Sequence, residues 1–167
     1  MKRVFQMLVV LLTWSAFAQP VPGQPTDARK SSKVFDELAD SALAVMAKRA
    51  KELNITGVAV VAYIDGDSVR SWSSKMEVVG TLKNAPTENN RGANLLAIAY
   101  AKASEMAETL KDSGSAGRPP MTGETGWQGG LIKRGKSGYL IAAFSGGPSE
   151  ADVKVSQAGL EVLAGKL

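Results

Sequence analysis

Residues 127–150 read WQGGLIKRGKSGYLIAAFSGGPSE, and this stretch decides the class of fold. Two apolar runs, Trp127–Lys133 and Tyr139–Phe144, are separated by a glycine-containing turn, which is typical of a β-hairpin. A second glycine-rich turn leads into an apolar stripe at helical spacing, with Ser149 as the predicted N-cap and Asp152 in the capping-box position. A hairpin followed directly by a helix predicts an antiparallel sheet with a helix packed on it.

The sequence before this stretch also predicts a hairpin followed by a helix, with one further helix in front of them. A stripe of apolar residues at helical spacing between Lys33 and Leu53 predicts a first helix. The run GVAVVAYI at residues 57–64 predicts a strand buried on both faces, and a turn joins it to a second strand near residues 69–76. The order helix, hairpin, helix, hairpin, helix predicts an α+β fold. The expected stripe of the first helix comprises Val34, Leu38, Ala42, Val45, Met46, the stem of Arg49, and Leu53.

The middle helix, predicted over residues 93–112, has an alanine-rich apolar side and a charged side. Its alanines permit close packing on a sheet. The residues expected on the solvent side are Lys102, Glu105, Glu108 and Lys111. After it come fifteen residues, 112–126, that have no periodicity and contain four glycines. Loops of this length within a small domain are usually functional or disordered.

The first 18 residues have the pattern of a cleavable signal peptide. Met1-Lys2-Arg3 is basic, residues 4–12 are nearly all apolar, and Ala16-Phe17-Ala18 matches a small-x-small cleavage site. The apolar run is shorter than the roughly 20 residues of a transmembrane helix. We therefore expect a periplasmic or secreted protein with no stable membrane insertion after cleavage. The proline-rich residues 19–32 predict a flexible linker, which leaves residues 33–167 as one domain.

The composition excludes several functional classes. The chain has no cysteine and no histidine, which excludes a disulfide, a thiolate nucleophile, a serine-histidine triad and the usual zinc site. The net charge is +4, and Lys2 and Arg3 of the predicted signal peptide supply two of these charges. So small a charge predicts no nucleic-acid partner. We expect no metal site, no conventional catalytic residue and a small-molecule ligand as the partner.

Several short motifs of the domain follow the order found in one known family. They are Gly129-Gly130-Leu131-Ile132, Phe144-Ser145-Gly146-Gly147, the helix residues Glu150, Asp152, Ala158 and Gly159, and Ala101-Lys102-Ala103 on the middle helix. On these motifs, residues 33–167 resemble the GlcG/HbpS-like proteins, a group of heme-binding or uncharacterised domains. The chain departs from the family pattern in its final turn, in a missing proline after Gly129-Gly130, and over residues 73–90, which replace an arginine-rich stretch.

The resemblance implies a profilin-like, three-layer α/β/α architecture with a five-stranded antiparallel sheet. It also implies a homo-oligomer and makes heme a candidate cofactor. Because histidine and cysteine are absent, the candidate iron ligands would be Tyr63, Tyr100, Tyr139, Met76, Met106, Met121 and Lys102.

Lys102 of the middle helix and two further segments are candidate ligand sites. Ser145, Gly146 and Gly147 precede a helix, where free amide groups suit an anion, although helix capping is the more general use of such a pattern. Arg118, Glu124 and Trp127 lie on or beside the long loop. They either line the mouth of a pocket or belong to a disordered loop in which Trp127 anchors the next strand.

We therefore expect an extracytoplasmic protein that binds a small ligand, with heme as one candidate. Two alternatives stay open. One is an enzyme acting on a small organic acid through Lys102, Glu124 or Asp152, which would need a strongly shifted pKa. The other is a non-catalytic oligomeric partner of an envelope or sensor protein. The scarcity of reactive side chains favours binding over catalysis.

Overall fold

The computed structural model describes residues 26–167, with side chains from Ser32 onward. The predicted signal peptide and residues 19–25 of the predicted linker lie outside this part of the chain. The elements in chain order are α1 (Thr26–Glu52), β1 (Gly57–Asp65), β2 (Trp72–Val79), β3 (Lys83–Asn84), β4 (Ala93–Asn94), α2 (Leu95–Thr109), β5 (Gly130–Arg134), β6 (Gly138–Ser145) and α3 (Ser149–Ala164).

Four strands form one antiparallel sheet in the order β2-β1-β6-β5. Both predicted hairpins are present, and the central strands β1 and β6 bring them together. This confirms the α+β class and the antiparallel sheet. A fifth strand in this sheet is not confirmed, because β3 and β4 pair with each other through Lys83 opposite Asn94 and Asn84 opposite Ala93.

Helices cover both faces of the sheet. On β1, Val58, Val60 and Ile64 point toward α2, whereas Ala59 and Val61 point toward α1 and α3. Strand residues alternate between faces, so a strand buried on both sides is apolar throughout, as residues 57–64 are. α1 and α3 also pack against each other. The sheet therefore has α2 on one side and the α1–α3 pair on the other.

α1 differs from the prediction in its start and in its buried side. It begins at Thr26, so residues 26–32 of the predicted linker are helical. This segment contains no proline or glycine, and nothing stops the helix from extending to that point. The buried stripe overlaps the predicted one at Ala42 and Met46, and Val34, Leu38 and Leu53 pack against it, but Val45 is 39% exposed. Its buried members are Phe35, Ala39, Ala42, Leu43, Met46, Ala47 and Ala50.

α2 corrects the prediction of a charged solvent side. Lys102 and Glu105 are 2% and 1% exposed, whereas Glu108 is exposed. Asn94 caps the helix by accepting the Ala97 N–H at 3.0 Å. The helix ends at Thr109, and the capping residue Leu110 adopts the left-handed conformation. Among the described helices, none is both long and apolar enough to cross a bilayer.

Candidate functional site

A buried ion pair joins α2 to α3. Lys102 Nζ lies 2.8 Å from Asp152 Oδ2, and it donates a second hydrogen bond of 2.8 Å to the Phe144 carbonyl at the end of β6. The two side chains are 2% and 4% exposed. Three elements of the second half of the domain, α2, β6 and α3, therefore meet at one ammonium group.

Glycine at position 129 makes room for this ammonium group. A Cβ built on Gly129 would lie 2.2 Å from Lys102 Nζ and 2.8 Å from the Asp152 Cβ. The residue has φ +129°, which also favours glycine. Its carbonyl accepts hydrogen bonds from the Ser156 hydroxyl at 2.7 Å and from the Phe144 amide at 3.0 Å. The loop backbone is thus fixed directly against the ion pair.

Asp152 also holds the glycine-rich turn before α3. Its Oδ1 accepts the Gly147 N–H at 2.9 Å. The prediction of Ser149 as the N-cap is wrong, because Pro148 occupies that position and makes no side-chain capping bond. A carboxylate in the first turn is favoured by the helix dipole. The Asp152 carboxylate therefore takes the position at this turn that was predicted for an anionic ligand. It accepts the N–H of Gly147, one of the three residues predicted to bind that ligand.

Burial shifts both partners of the pair toward their neutral forms. Loss of water lowers the pKa of Lys102, and the charge and hydrogen bond of Asp152 oppose this shift. Loss of water likewise raises the pKa of Asp152, opposed by Lys102 and by the turn amides. Desolvation penalises the charged state of any buried group, and a partner at 2.8 Å repays part of that cost. Groups with such shifts are common in functional sites.

The ion pair forms the floor of a cleft of about 170 Å³. Five of the seven predicted ligand residues line it, namely Lys102, Trp127, Ser145, Gly146 and Gly147. Trp127 is 56% exposed, so it does not anchor the following strand by burial. Asp152, predicted only as a catalytic group of the alternative enzyme, lines it as well, and the remaining lining residues, for which the sequence suggested no ligand contact, are Asn84, Ala93, Leu95, Ile98, Gln128 and Ser149. The sequence therefore identified five of the residues that line the cleft, but it did not predict that they lie together in one site.

The other two predicted residues, Arg118 and Glu124, lie outside this cleft. Arg118 Nη1 is 2.7 Å from Glu124 Oε2, and its Nη2 is 2.6 Å from Glu108 Oε2. Glu124 also accepts the Met121 N–H, and these bonds lower the pKa of Glu124 to about 2. The interpretation of the long loop as disordered is wrong, since the Arg118–Glu108 ion pair and the hydrogen bond from the Gly114 N–H to Glu105 tie it to α2. Arg118 and Trp127 also line separate cavities rather than one pocket mouth.

One sequence signal for the buried lysine was present. Lys102 is spaced three and four residues from Ala99 and Met106, which are core residues of α2. A charged residue at such spacing falls on the apolar stripe and needs a buried partner. Its partner Asp152 is 50 residues away in sequence, and no local pattern connects the two.

The residues of the cleft do not fit heme. Lys102 is the only candidate iron ligand that lines it, and its Nζ already donates to two oxygen atoms. Met106 and Tyr63 are buried in the two halves of the core, and Met121 is 49% exposed on the loop. The cleft is also smaller than the roughly 300–1,000 Å³ of sites for drug-sized ligands. Within residues 26–167, no group of three acidic residues is arranged to hold a metal ion.

A scan of the chain against models of protein families finds no match, and a search among curated proteins finds none either.

Proposed function

We propose that this protein is an extracytoplasmic binding protein of the GlcG/HbpS-like type, and that it binds a small, flat molecule carrying a carboxylate or carbonyl oxygen. The binding site is the cleft above the Lys102–Asp152 pair. The signal-peptide pattern and the sequence resemblance support the type and location of the protein. The ligand class follows from the hydrogen-bonding capacity of Lys102.

The observation that carries the proposal is the incomplete hydrogen bonding of Lys102. An ammonium group has three N–H donors, and two of them point to Phe144 O and Asp152 Oδ2. The third has no acceptor among the residues that the structure describes. Because Asp152 neutralises the charge of Lys102, a ligand is recognised here by its acceptor oxygen more than by its net charge. A hydrogen bond to an ionised donor is stronger than a neutral one.

The rim of the cleft favours a flat ligand. The half-exposed Trp127 offers an indole face, and aromatic rings gain stability by offset stacking. Asn84, Gln128 and Ser149 add amide and hydroxyl groups that can orient further polar atoms. A cavity of about 170 Å³ limits the enclosed part of the ligand to a small ring or a short acid.

Benzoate is a suitable probe, with benzyl alcohol as the matched molecule that lacks the carboxylate. We expect benzoate to quench the fluorescence of Trp127 in a saturable way and benzyl alcohol to have little effect. Trp127→Ala, followed by titration calorimetry because the variant lacks the reporting indole, should weaken benzoate binding about tenfold without changing thermal stability. Val69→Ala is the control, since Val69 is also exposed and lies outside the cleft. Equal binding by both variants would refute the site.

We also propose that the protein has a profilin-like architecture and forms a homo-oligomer. A profilin-like arrangement and a homo-oligomer are implied by the resemblance, and helices on both faces of an antiparallel sheet support the architecture. Native mass spectrometry of protein purified from the cell envelope measures mass, assembly and retained ligand together. A hemin titration belongs to the same series: we expect no Soret shift, and a saturable shift would replace the small ligand by heme.

The second candidate is an enzyme that acts on a small organic acid. It is favoured by the lowered pKa of the Lys102 amine and the raised pKa of the Asp152 carboxyl group, which lie in the same cleft. A turnover assay on short organic acids tests it. If Lys102→Gln and Asp152→Asn abolish a measured turnover while Glu124→Gln does not, the enzyme replaces the binding protein. Turnover that survives all three changes excludes these residues as catalytic groups.

A further inference from the structure

A second cavity, of about 390 Å³, lies between α2 and the long loop that follows it. Glu105 of α2 lines it on one side, and the loop residues Gly114, Gly117, Arg118 and Pro120 line it on the other. None of its lining residues belongs to the Lys102–Asp152 cleft. The cavity is therefore a separate site.

Glu105 is a buried carboxylate that is only half satisfied. The residue is 1% exposed, and its Oε1 accepts the Gly114 N–H at 2.8 Å. Its Oε2 is shielded from solvent and has no hydrogen-bond donor within residues 26–167. Buried polar atoms are almost always paired, so each exception needs an explanation. A ligand that donates an N–H to Oε2 supplies one.

The charges around the cavity select the sign of that ligand. Arg118 is the positive group of the lining, and it is already paired with Glu108 and Glu124. With Glu105, which lines the same cavity, there are three carboxylates to one guanidinium, an excess of two negative charges. Lys102, one turn earlier on α2, is neutralised by Asp152. The local field therefore attracts a cation.

The lining distinguishes an organic cation from a metal ion. A hard cation such as Ca²⁺ takes six to eight oxygen ligands, and in the described part of the chain no three acidic side chains form such a group. Ala116, Pro119 and Pro120 give the cavity an apolar side instead. An ammonium or guanidinium group with a short hydrocarbon body matches both the unpaired oxygen and this apolar side.

We propose that the cavity binds a small primary amine or guanidine, whose cationic head donates a hydrogen bond to Glu105 Oε2. Because Oε2 is shielded from solvent, binding requires a rotation of the carboxylate or a shift of the loop. There is open space beside the loop at Gly117 and Gly123, where a Cβ would meet no neighbouring atom within 4 Å. The amides of Gly114, Gly117 and Gly126 are thus expected to report binding.

The test is an NMR titration of the protein with n-butylammonium, n-butylguanidinium and the neutral n-butanol. We expect saturable shifts of the Gly114, Gly117 and Gly126 amides and of the Glu105 side-chain carboxyl carbon with the two cations, and none with butanol. Glu105→Gln should weaken butylammonium binding about tenfold or more, because a charged partner is lost. Glu88→Gln, the same change in an exposed loop, should leave it unaltered.

Several outcomes would overturn the proposal. The absence of any shift with either cation would mean that an ordered water satisfies Oε2. Equal shifts with butanol would show an apolar cavity without recognition of charge, and the same carboxyl shift with Ca²⁺ would show a metal site. Unchanged affinity in Glu105→Gln would remove Glu105 from the site. If that variant does not fold, the shift of the Glu105 carboxyl carbon in the unsubstituted protein decides the question.

Discussion

The Lys102–Asp152 and Arg118–Glu124 pairs use the same kind of attraction in two different environments. The first is buried at the junction of α2, β6 and α3, and desolvation dominates the pKa shifts of both partners. The second lies on the loop, where Glu124 is 6% exposed but its partner Arg118 is 30% exposed, and hydrogen bonding dominates. The charges of the buried pair have lost most of their hydration, which is unfavourable. The Arg118 guanidinium of the loop pair is still partly hydrated. The comparison shows that burial decides which effect controls an ion pair.

Removal of one buried partner should have the largest effect. Lys102→Met leaves the Asp152 carboxylate unpaired in the interior, and we expect a loss of about 3–5 kcal/mol in the free energy of unfolding. Lys75→Met is the matched control, because Lys75 pairs with the exposed Asp40. Pairs of that kind contribute about 0–1 kcal/mol. Urea unfolding measures both, and similar losses in the two variants would contradict the distinction.

Gly129→Ala tests whether the loop backbone must approach the ammonium group. The new Cβ would lie 2.2 Å from Lys102 Nζ. We therefore expect the free energy of unfolding to fall by about 1–3 kcal/mol, in addition to the decrease caused by backbone strain. Gly123→Ala supplies the control, since Gly123 has φ +95° and no atom within 4 Å of a new Cβ. Thermal unfolding of both variants makes the comparison, and a smaller loss at position 129 would rule out the steric role.

A double-mutant cycle sharpens the same contrast. Lys102→Met combined with Asp152→Asn removes both charges, while the new amide can still accept the Gly147 N–H. The double variant should lose less stability than the two single variants added together, by about 0.5–3 kcal/mol. Additive losses would mean that the two groups contribute separately.

The loop pair should respond to acid in the direction set by Glu124. The pKa of Glu124 falls from 4.5 to about 2 on folding. Its contribution to the stability of the folded protein is therefore fully present above pH 4.5 and is lost as the pH falls toward 2. Asp152 acts in the opposite direction, because its raised pKa means that the folded protein holds that proton more tightly. Hydrogen exchange of the amides at residues 112–126 between pH 5 and pH 2 measures the effect. Glu124→Gln should remove this pH dependence.

The fold was predictable where local patterns suffice. The two hairpins, the apolar strand β1 and the helix after the glycine-rich turn follow from alternation, turn residues and helical spacing. The exposed Val45 shows the limit of this reasoning, because packing against α3 and against the sheet decides which apolar residues of α1 are buried. The start of α1 at Thr26 was missed because the prolines before it suggested a longer linker.

The site was only partly predictable, since its central contact is not local. The glycine-rich turn and Trp127 carry visible signals, and both line the cleft. The burial of Lys102 and Glu105 depends on partners supplied by α3 and by the long loop, which no spacing rule connects to α2. The capping pattern at Ser149 indicated the helix correctly and its cap wrongly, because Asp152 bonds the preceding turn instead.

The most direct test follows the side-chain nitrogen of Lys102 by ¹⁵N NMR while benzoate is added. We expect the Lys102 Nζ resonance to move in a saturable way together with the Trp127 indole signal, because the third N–H of the ammonium group gains an acceptor. Movement of surface resonances alone, with Lys102 Nζ unchanged at saturation, would contradict the proposed binding site.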